Sequence, residues 1–157
     1  MNLRPTQTAY VGLGANLGEA RETVRAALAE LDRLPQTRLV RASSLYRSAP
    51  VDAQGPDFWN AVAQLDTRLA PFELLGALQQ LEQAAGRERP YRNAPRTLDL
   101  DLLLYGTLRQ DDSVLTLPHP RMRDRAFVLL PLAEIAPGLV DASDLARVAQ
   151  QRIRRLD

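Results

Sequence analysis

Apolar residues recur along this chain with two different periods, and the switches between them mark out its elements. Alternation from Thr8 to Ala15, with Ala9, Val11 and Leu13 on one side, predicts a first strand. From Glu19 to Leu34 the period lengthens. Val24, Ala27, Leu28 and Leu31 share one helical stripe, which Pro35 stops. Leu39–Tyr46 and Phe58–Leu69 read as strands, joined by the polar, proline-rich connection Ser48–Asp57. Ala70-Pro71 opens a second helix with proline in its first turn, and Leu74, Leu75, Leu78, Leu81 and Ala85 form its stripe up to Gly86. A strand follows in which Leu98, Leu100 and Leu102 alternate with Asp99 and Asp101. Beyond it lie a loop, a proline-punctuated segment at Pro131-Leu132-Ala133-Glu134-Ile135, and a C-terminal helix from Ser143. The order β-α-β-β-α-β predicts an α+β, ferredoxin-like sandwich with an antiparallel sheet and a C-terminal helical addition. With no internal repeat or low-complexity segment, residues 1–157 read as a single domain.

The Asp strand constrains the chemistry most. Carboxylates at i and i+2 project from one face, their Cα atoms about 6.6 Å apart along the strand. The other face and the run Leu103-Leu104-Tyr105 are apolar enough to be sheet core. Two adjacent acids on a buried strand repel each other and lose hydration unless cations neutralise them. Mg²⁺ and the arginines just upstream are the candidates. On an exposed edge strand the same pair would be only a solvated acidic patch.

Composition narrows the choices. The absence of cysteine removes disulfides, thiolate zinc sites and cysteine nucleophiles, and the single histidine, His119, removes multi-histidine metal sites. A metal would have to be held by carboxylates, which favours Mg²⁺ or Mn²⁺. A net charge of +1 supplies no global basic field for nucleic acid. No apolar run approaches a membrane span and the N-terminus lacks a signal-peptide pattern, so a cytoplasmic protein is expected, without membrane or nucleic-acid partners. All 20 basic residues are arginine. A lysine-dependent phosphate loop, a Schiff base and a lysine general base are therefore impossible.

Gly12-Leu13-Gly14-Ala15-Asn16-Leu17-Gly18 follows a strand and opens a helix, but its third glycine comes one residue late for a dinucleotide fingerprint. The acids at Glu30 and Asp32 fall within the helix. A tight turn or a close backbone approach to a small ligand suits these glycines better. Phosphates, if bound, must meet arginine. Arg87, Arg89, Arg92 and Arg96 run into the Asp strand, and Arg121, Arg123 and Arg125 follow Leu117-Pro118-His119-Pro120. Guanidinium forks suit phosphate oxygens, so two clusters flanking an acidic pair describe a polyphosphate site. Either cluster alone would read as a solvated basic loop. His119 fits a phosphate contact, proton transfer or a plain turn equally well.

Taken together, Arg96-Thr97-Leu98-Asp99-Leu100-Asp101 with Arg92 and Pro95 resembles the signature of the 6-hydroxymethyl-7,8-dihydropterin pyrophosphokinase family. The resemblance extends through Gly12–Gly18, Ser43-Ser44-Leu45-Tyr46-Arg47, Phe58-Trp59-Asn60-Ala61, Glu82 with Gly86-Arg87, Pro118-His119-Pro120, and Arg125-Ala126-Phe127-Val128-Leu129 with Pro131-Leu132. Each block is weak alone; in this order and near this spacing they are specific together.

The resemblance implies transfer of the β,γ-pyrophosphoryl unit of ATP to the pterin hydroxymethyl, releasing AMP in folate biosynthesis, by a monomer. It implies that Asp99 and Asp101 hold two Mg²⁺ ions, and that Arg87 and Arg96 act with them in catalysis. Glu82, Arg89, Arg92, Thr116, His119 and Arg125 match nucleotide-side positions. Phe58 and Phe127 match aromatics that sandwich the pterin, Asn60 the amide that reads its polar edge, and Ser48 and Val51 the loop completing the pocket. Glu82 also stands out by itself, because an acid near a helix C-terminus opposes the dipole and calls for a partner. The chain departs from the family pattern at Asn93, where tryptophan is frequent, in a loop one residue short. Pro120 replaces a tyrosine, and Val114 stands where an arginine can occur. Two other classes use the same features. A ferredoxin-like RNA-binding or regulatory module would need more sheet aromatics than three Phe, four Tyr and one Trp provide. A two-metal phosphodiesterase would need further carboxylate or histidine ligands.

Overall fold

The computed structural model describes residues 4–50, 55–86 and 98–156. Its framework is β1 (Gln7–Ala15), α1 (Ala20–Leu31), β2 (Thr37–Ala42), β3 (Tyr46–Ser48), β4 (Phe58–Thr67), α2 (Pro71–Ala85) and β5 (Asp99–Tyr105). A small hairpin of β6 (Gln110–Asp111) and β7 (Thr116–Leu117) leads to α3 (Ala126–Ile135), α4 (Ala142–Arg147) and β8 (Ile153–Arg155). The sheet runs β5-β1-β4-β3-β8, with β2 also pairing with β4, and its ladders are antiparallel. This is the expected ferredoxin-like arrangement, with β1 and β4 at its centre.

Strand alternation sorts side chains to the two faces. Ala9, Val11 and Leu13 are almost fully buried and join Val24, Ala27 and Leu31 of α1 and Leu74 and Leu78 of α2 in the main core. On the opposite face, Val62 and Leu103 pack under Met122 and under Val128, Leu132 and Ile135 of α3. α3 covers only part of that second face. Beyond its N-terminus the sheet opens into a cavity.

The structure corrects or completes three sequence expectations. The strand expected over Leu39–Tyr46 is split into β2 and β3. Ser43 is the cause: its hydroxyl takes the hydrogen bond of the Val62 N–H at 2.9 Å and donates to the Ser44 carbonyl at 2.8 Å, displacing the regular ladder. Pro131-Leu132-Ala133-Glu134-Ile135, which the sequence marks only as a proline-punctuated segment, is the second half of α3, with Pro131 buried inside the helix. The proline forfeits one helical bond, to the Phe127 carbonyl, while the apolar face of the helix stays in the core. Third, the C-terminal addition is not wholly helical: α4 ends at Arg147 and the chain returns to the sheet as β8 beside β3.

Candidate active site

β1 supplies the floor of the open cavity. In register, Gly14 lies between Asp99 of β5 and Asn60 of β4, and Gly12 between Asp101 and Val62. Because these two positions carry no side chain, a strip of bare backbone separates the acids from Asn60. A Cβ at Gly14 would stand 3.3 Å from Asn60 Oδ1 and 3.9 Å from Phe58. The glycine run thus serves close backbone approach at Gly14, and the turn into α1 at Gly18, whose φ is 58°. The resulting space is about 550 Å³ and is lined by Gly12, Leu13, Gly14, Ala49, Phe58, Asn60, Asp99, Asp101, His119, Arg121, Arg125, Phe127 and Val128.

One wall is cationic. Arg125 Nη1 stands 3.8 Å from Asp101 Oδ2, and His119 Nε2 stands 4.0 Å from Asp101 Oδ1. The Arg125 guanidinium also lies 5.4 Å from the centroid of the Phe127 ring, within cation–π range. Burial lowers the pKa of His119; Asp101 opposes this, and Arg125 and Arg121 reinforce it. The net direction favours the neutral ring. Its Nδ1 accepts the Arg121 N–H at 3.2 Å, which leaves the proton on Nε2, facing Asp101 and the cavity. The His119 N–H donates to the Leu103 carbonyl at 2.9 Å and ties this loop to β5.

The rest of the lining is aromatic and polar. Phe58 and Phe127 are both half-buried, on β4 and in the first turn of α3. Asn60 is 1% exposed. Its Nδ2 donates to Ser48 Oγ at 2.8 Å and, more weakly, to the Phe58 carbonyl at 3.4 Å. That fixes the amide so that Oδ1 is its acceptor end.

Several sequence candidates lie elsewhere. Ser48 lines a neighbouring cavity of about 250 Å³ behind Phe127, and acts on the main one through Asn60. Glu82 is absent from the cavity lining; its Oε2 accepts the Leu100 N–H at 2.8 Å and holds the backbone between the two aspartates. Thr116 hydrogen-bonds the Asp112 carbonyl at 3.2 Å, also away from the lining. The second arginine cluster divides, Arg123 turning away to Asp144 at 3.0 Å. Arg87, Arg89, Arg92, Arg96 and Val51 lie outside the described residues. Sequence reading missed Ala49 and Val128, which carry no chemical signal, and Gln151, which binds the backbone on either side of Arg125.

Among the described residues no group of three or more His, Cys, Asp or Glu gathers around one point. The pair Asp99 and Asp101 nonetheless suits a hard divalent cation, which commonly takes one or two carboxylates and completes its shell with phosphate oxygens and water.

A ferredoxin-like sheet that turns a carboxylate pair, guanidinium groups and two aromatic rings into one cavity has the make-up of a phosphotransfer enzyme with an aromatic acceptor. A family model described as 7,8-dihydro-6-hydroxymethylpterin-pyrophosphokinase matches residues 10–137. A 2-amino-4-hydroxy-6-hydroxymethyldihydropteridine pyrophosphokinase of Pseudomonas aeruginosa is 54% identical over 134 residues, covering 85% of this chain and 83% of that one. The protein of the same name from Haemophilus influenzae is 48% identical, with 85% and 84% covered. Among solved structures, Plasmodium falciparum HPPK-DHPS, wild type with SDX-DHP, superposes with a TM-score of 0.66 at 13% identity. The overlap covers 85% of this chain and 41% of that longer one, a likeness of fold. The chain belongs to the 7,8-dihydro-6-hydroxymethylpterin-pyrophosphokinase family. It is an ATP-dependent diphosphotransferase that moves pyrophosphate from ATP to the hydroxymethyl group of 6-hydroxymethyl-7,8-dihydropterin, giving AMP, in folate biosynthesis. Among the described residues no helix is long and apolar enough to cross a membrane.

Proposed function

We propose that this transfer takes place in the cavity over Gly12 and Gly14, with the pterin at the Phe58–Asn60–Phe127 end and the triphosphate at the Asp99–Asp101 end. The observation that supports it most is that single cavity, where two aromatics, a buried amide and two carboxylates from distant parts of the chain meet. Phe58 and Phe127 stack the pterin ring. Asn60 Oδ1, oriented by Ser48, accepts from the pterin's N–H edge, and Val51 completes that pocket from the neighbouring loop.

At the other end Asp99 and Asp101 would hold two Mg²⁺ ions shared with the triphosphate, which supply charge neutralisation and acidify the attacking alcohol. His119 donates its Nε2–H to a phosphate oxygen, and Arg125 spans the two substrates from above Phe127. The hydroxymethyl oxygen bonds to the β-phosphorus as the bond from that phosphorus to the α–β bridging oxygen breaks. Arg87 and Arg96 meet the charge that develops there, while Arg89 and Arg92 bind the nucleotide's phosphates. Glu82 and Thr116 complete the nucleotide side, Glu82 also by steadying Leu100. The enzyme is proposed to work as a cytoplasmic monomer, with residues 1–157 forming one catalytic domain.

The test is AMP release from ATP with and without 6-hydroxymethyl-7,8-dihydropterin, repeated after removal of divalent cations. Release should require both pterin and metal. AMP formed equally without pterin would overturn this assignment of the cavity.

A further inference from the structure

The N-terminus of α3 is built without the usual cap. Ser, Thr, Asp or Asn normally holds that position, because its side-chain oxygen can satisfy an unpaired helix N–H. Here the position belongs to Arg125, whose side chain has donors only and makes no cap bond. The missing acceptor comes from the far end of the chain. Gln151 Oε1 accepts the Ala126 N–H at 2.9 Å, and Gln151 Nε2 donates to the Asp124 carbonyl at 2.8 Å. One amide thus grips the backbone on both sides of Arg125.

The grip is itself anchored. Val148, 2% exposed, packs with Ala126 and Leu129, and the Gln151 N–H returns to the Val148 carbonyl at 3.0 Å. On the other side the Ala49 N–H donates to the Arg152 carbonyl at 3.1 Å, and β8 follows at once along β3. Gln151 therefore joins two walls of the cavity, the turn bearing Arg125 and Phe127 and the Ser48–Ala49 loop. It lies beyond the residues 10–137 that match the family.

We propose that Gln151 is a positioning residue for catalysis, supplying from the C-terminal segment the helix cap that Arg125 cannot supply. This fixes where the Arg125 guanidinium and the Phe127 ring stand. The proposal rests on the roles given above to those two side chains.

Gln151→Leu keeps the length and removes the amide. Expected is a fall in kcat/KM of about 10-fold, with a raised pterin KM and a Tm close to that of the unaltered protein. In a background carrying both Arg125→Ala and Phe127→Ala the same substitution should change kcat/KM by less than about 2-fold, because the groups it positions are gone. Gln151→Asn, one methylene too short to span both backbone groups, should behave alike and serves if the leucine variant does not fold. Equal losses in both backgrounds would overturn the proposal. So would a lowered Tm with unchanged kcat/KM per folded molecule. Pterin-dependent turnover of the unaltered protein reports separately on the reading of the cavity, so the two failures are distinguishable.

Discussion

At the scale of single residues, the site depends on what two carboxylates hold and what one glycine leaves empty. Asp99→Asn and Asp101→Asn preserve shape and remove charge, and each should lower turnover by at least ~10²-fold, as loss of a preorganised electrostatic element does. For Asp101→Asn, Tm without metal should hardly move, since Asp101 is 40% exposed and its contacts to Arg125 and His119 are long. A large drop in Tm with proportionate loss of activity would make the pair structural. Gly14→Ala should weaken pterin binding by about 10-fold, because its Cβ stands 3.3 Å from a buried amide oxygen that has little room to yield. ATP-analogue binding should change far less, and Gly12→Ala, whose Cβ meets only the Leu103 side chain at 3.6 Å, should have the smaller effect on the pterin. Phe127→Ala should cost about 1–3 kcal/mol of pterin binding, the scale of ring stacking on an aromatic. Equal loss of both ligands would mark it as core. Asp99 and Asp101 were legible because strict alternation puts them on one face. Periodicity alone did not separate Arg123 from Arg125, because two residues' difference in a turn reverses direction without any periodic trace; only the family resemblance singled out Arg125. Gln151 was beyond reach, since its role exists only once the C-terminal segment has docked.

At the scale of elements, the helices and the central strands follow from their apolar periods, while the joints follow from local hydrogen bonding that periodicity does not record. The largest of these joints is Glu134 on α3. Its carboxylate accepts the Ser44 N–H, the Ser44 hydroxyl and the Tyr46 hydroxyl, and lies 3.6 Å from Arg155 of β8. It fastens α3, the β2–β3 joint and the returning strand together. Burial pushes the Glu134 pKa up, but the bonds from Tyr46 and Ser44 and the charge of Arg155 outweigh it, and the net direction is down. A carboxyl lowered in the folded state stabilises it above the unfolded value near 4.5, and that contribution fades as pH falls through the folded value. Tyr46 runs the other way. Burial, then the bond to Glu134, raise it from 10.0 to about 12, so its contribution is complete below pH 10 and is lost as pH climbs toward 12. Glu134→Gln should lower stability by about 1–3 kcal/mol at pH 7 and flatten the acid limb of a Tm-against-pH curve. An unchanged acid limb would assign that slope to other carboxylates.

For the whole molecule, β1 is a strand near the start of the chain whose two partners come late. It pairs with β4 from Gln7↔Thr67 to Ala15↔Trp59, and with β5 from Ala9↔Tyr105 to Gly14↔Asp99. Until β5 arrives, one whole edge of the central strand stays open, with Ala9, Val11 and Leu13 already committed to the core beneath it. Topology of this kind, rich in pairings between distant parts of the chain, slows folding and leaves sticky intermediates. A fragment of residues 1–86, lacking β5, should therefore self-associate rather than fold; a monomeric fragment with a cooperative melt would refute that. The last partner of β1 is also the strand that carries Asp99 and Asp101, so the acids are delivered by the same event that closes the sheet. The nascent chain thus loses its exposed edge and gains its reactive carboxylates in one folding step: the hazard ends as the chemistry begins.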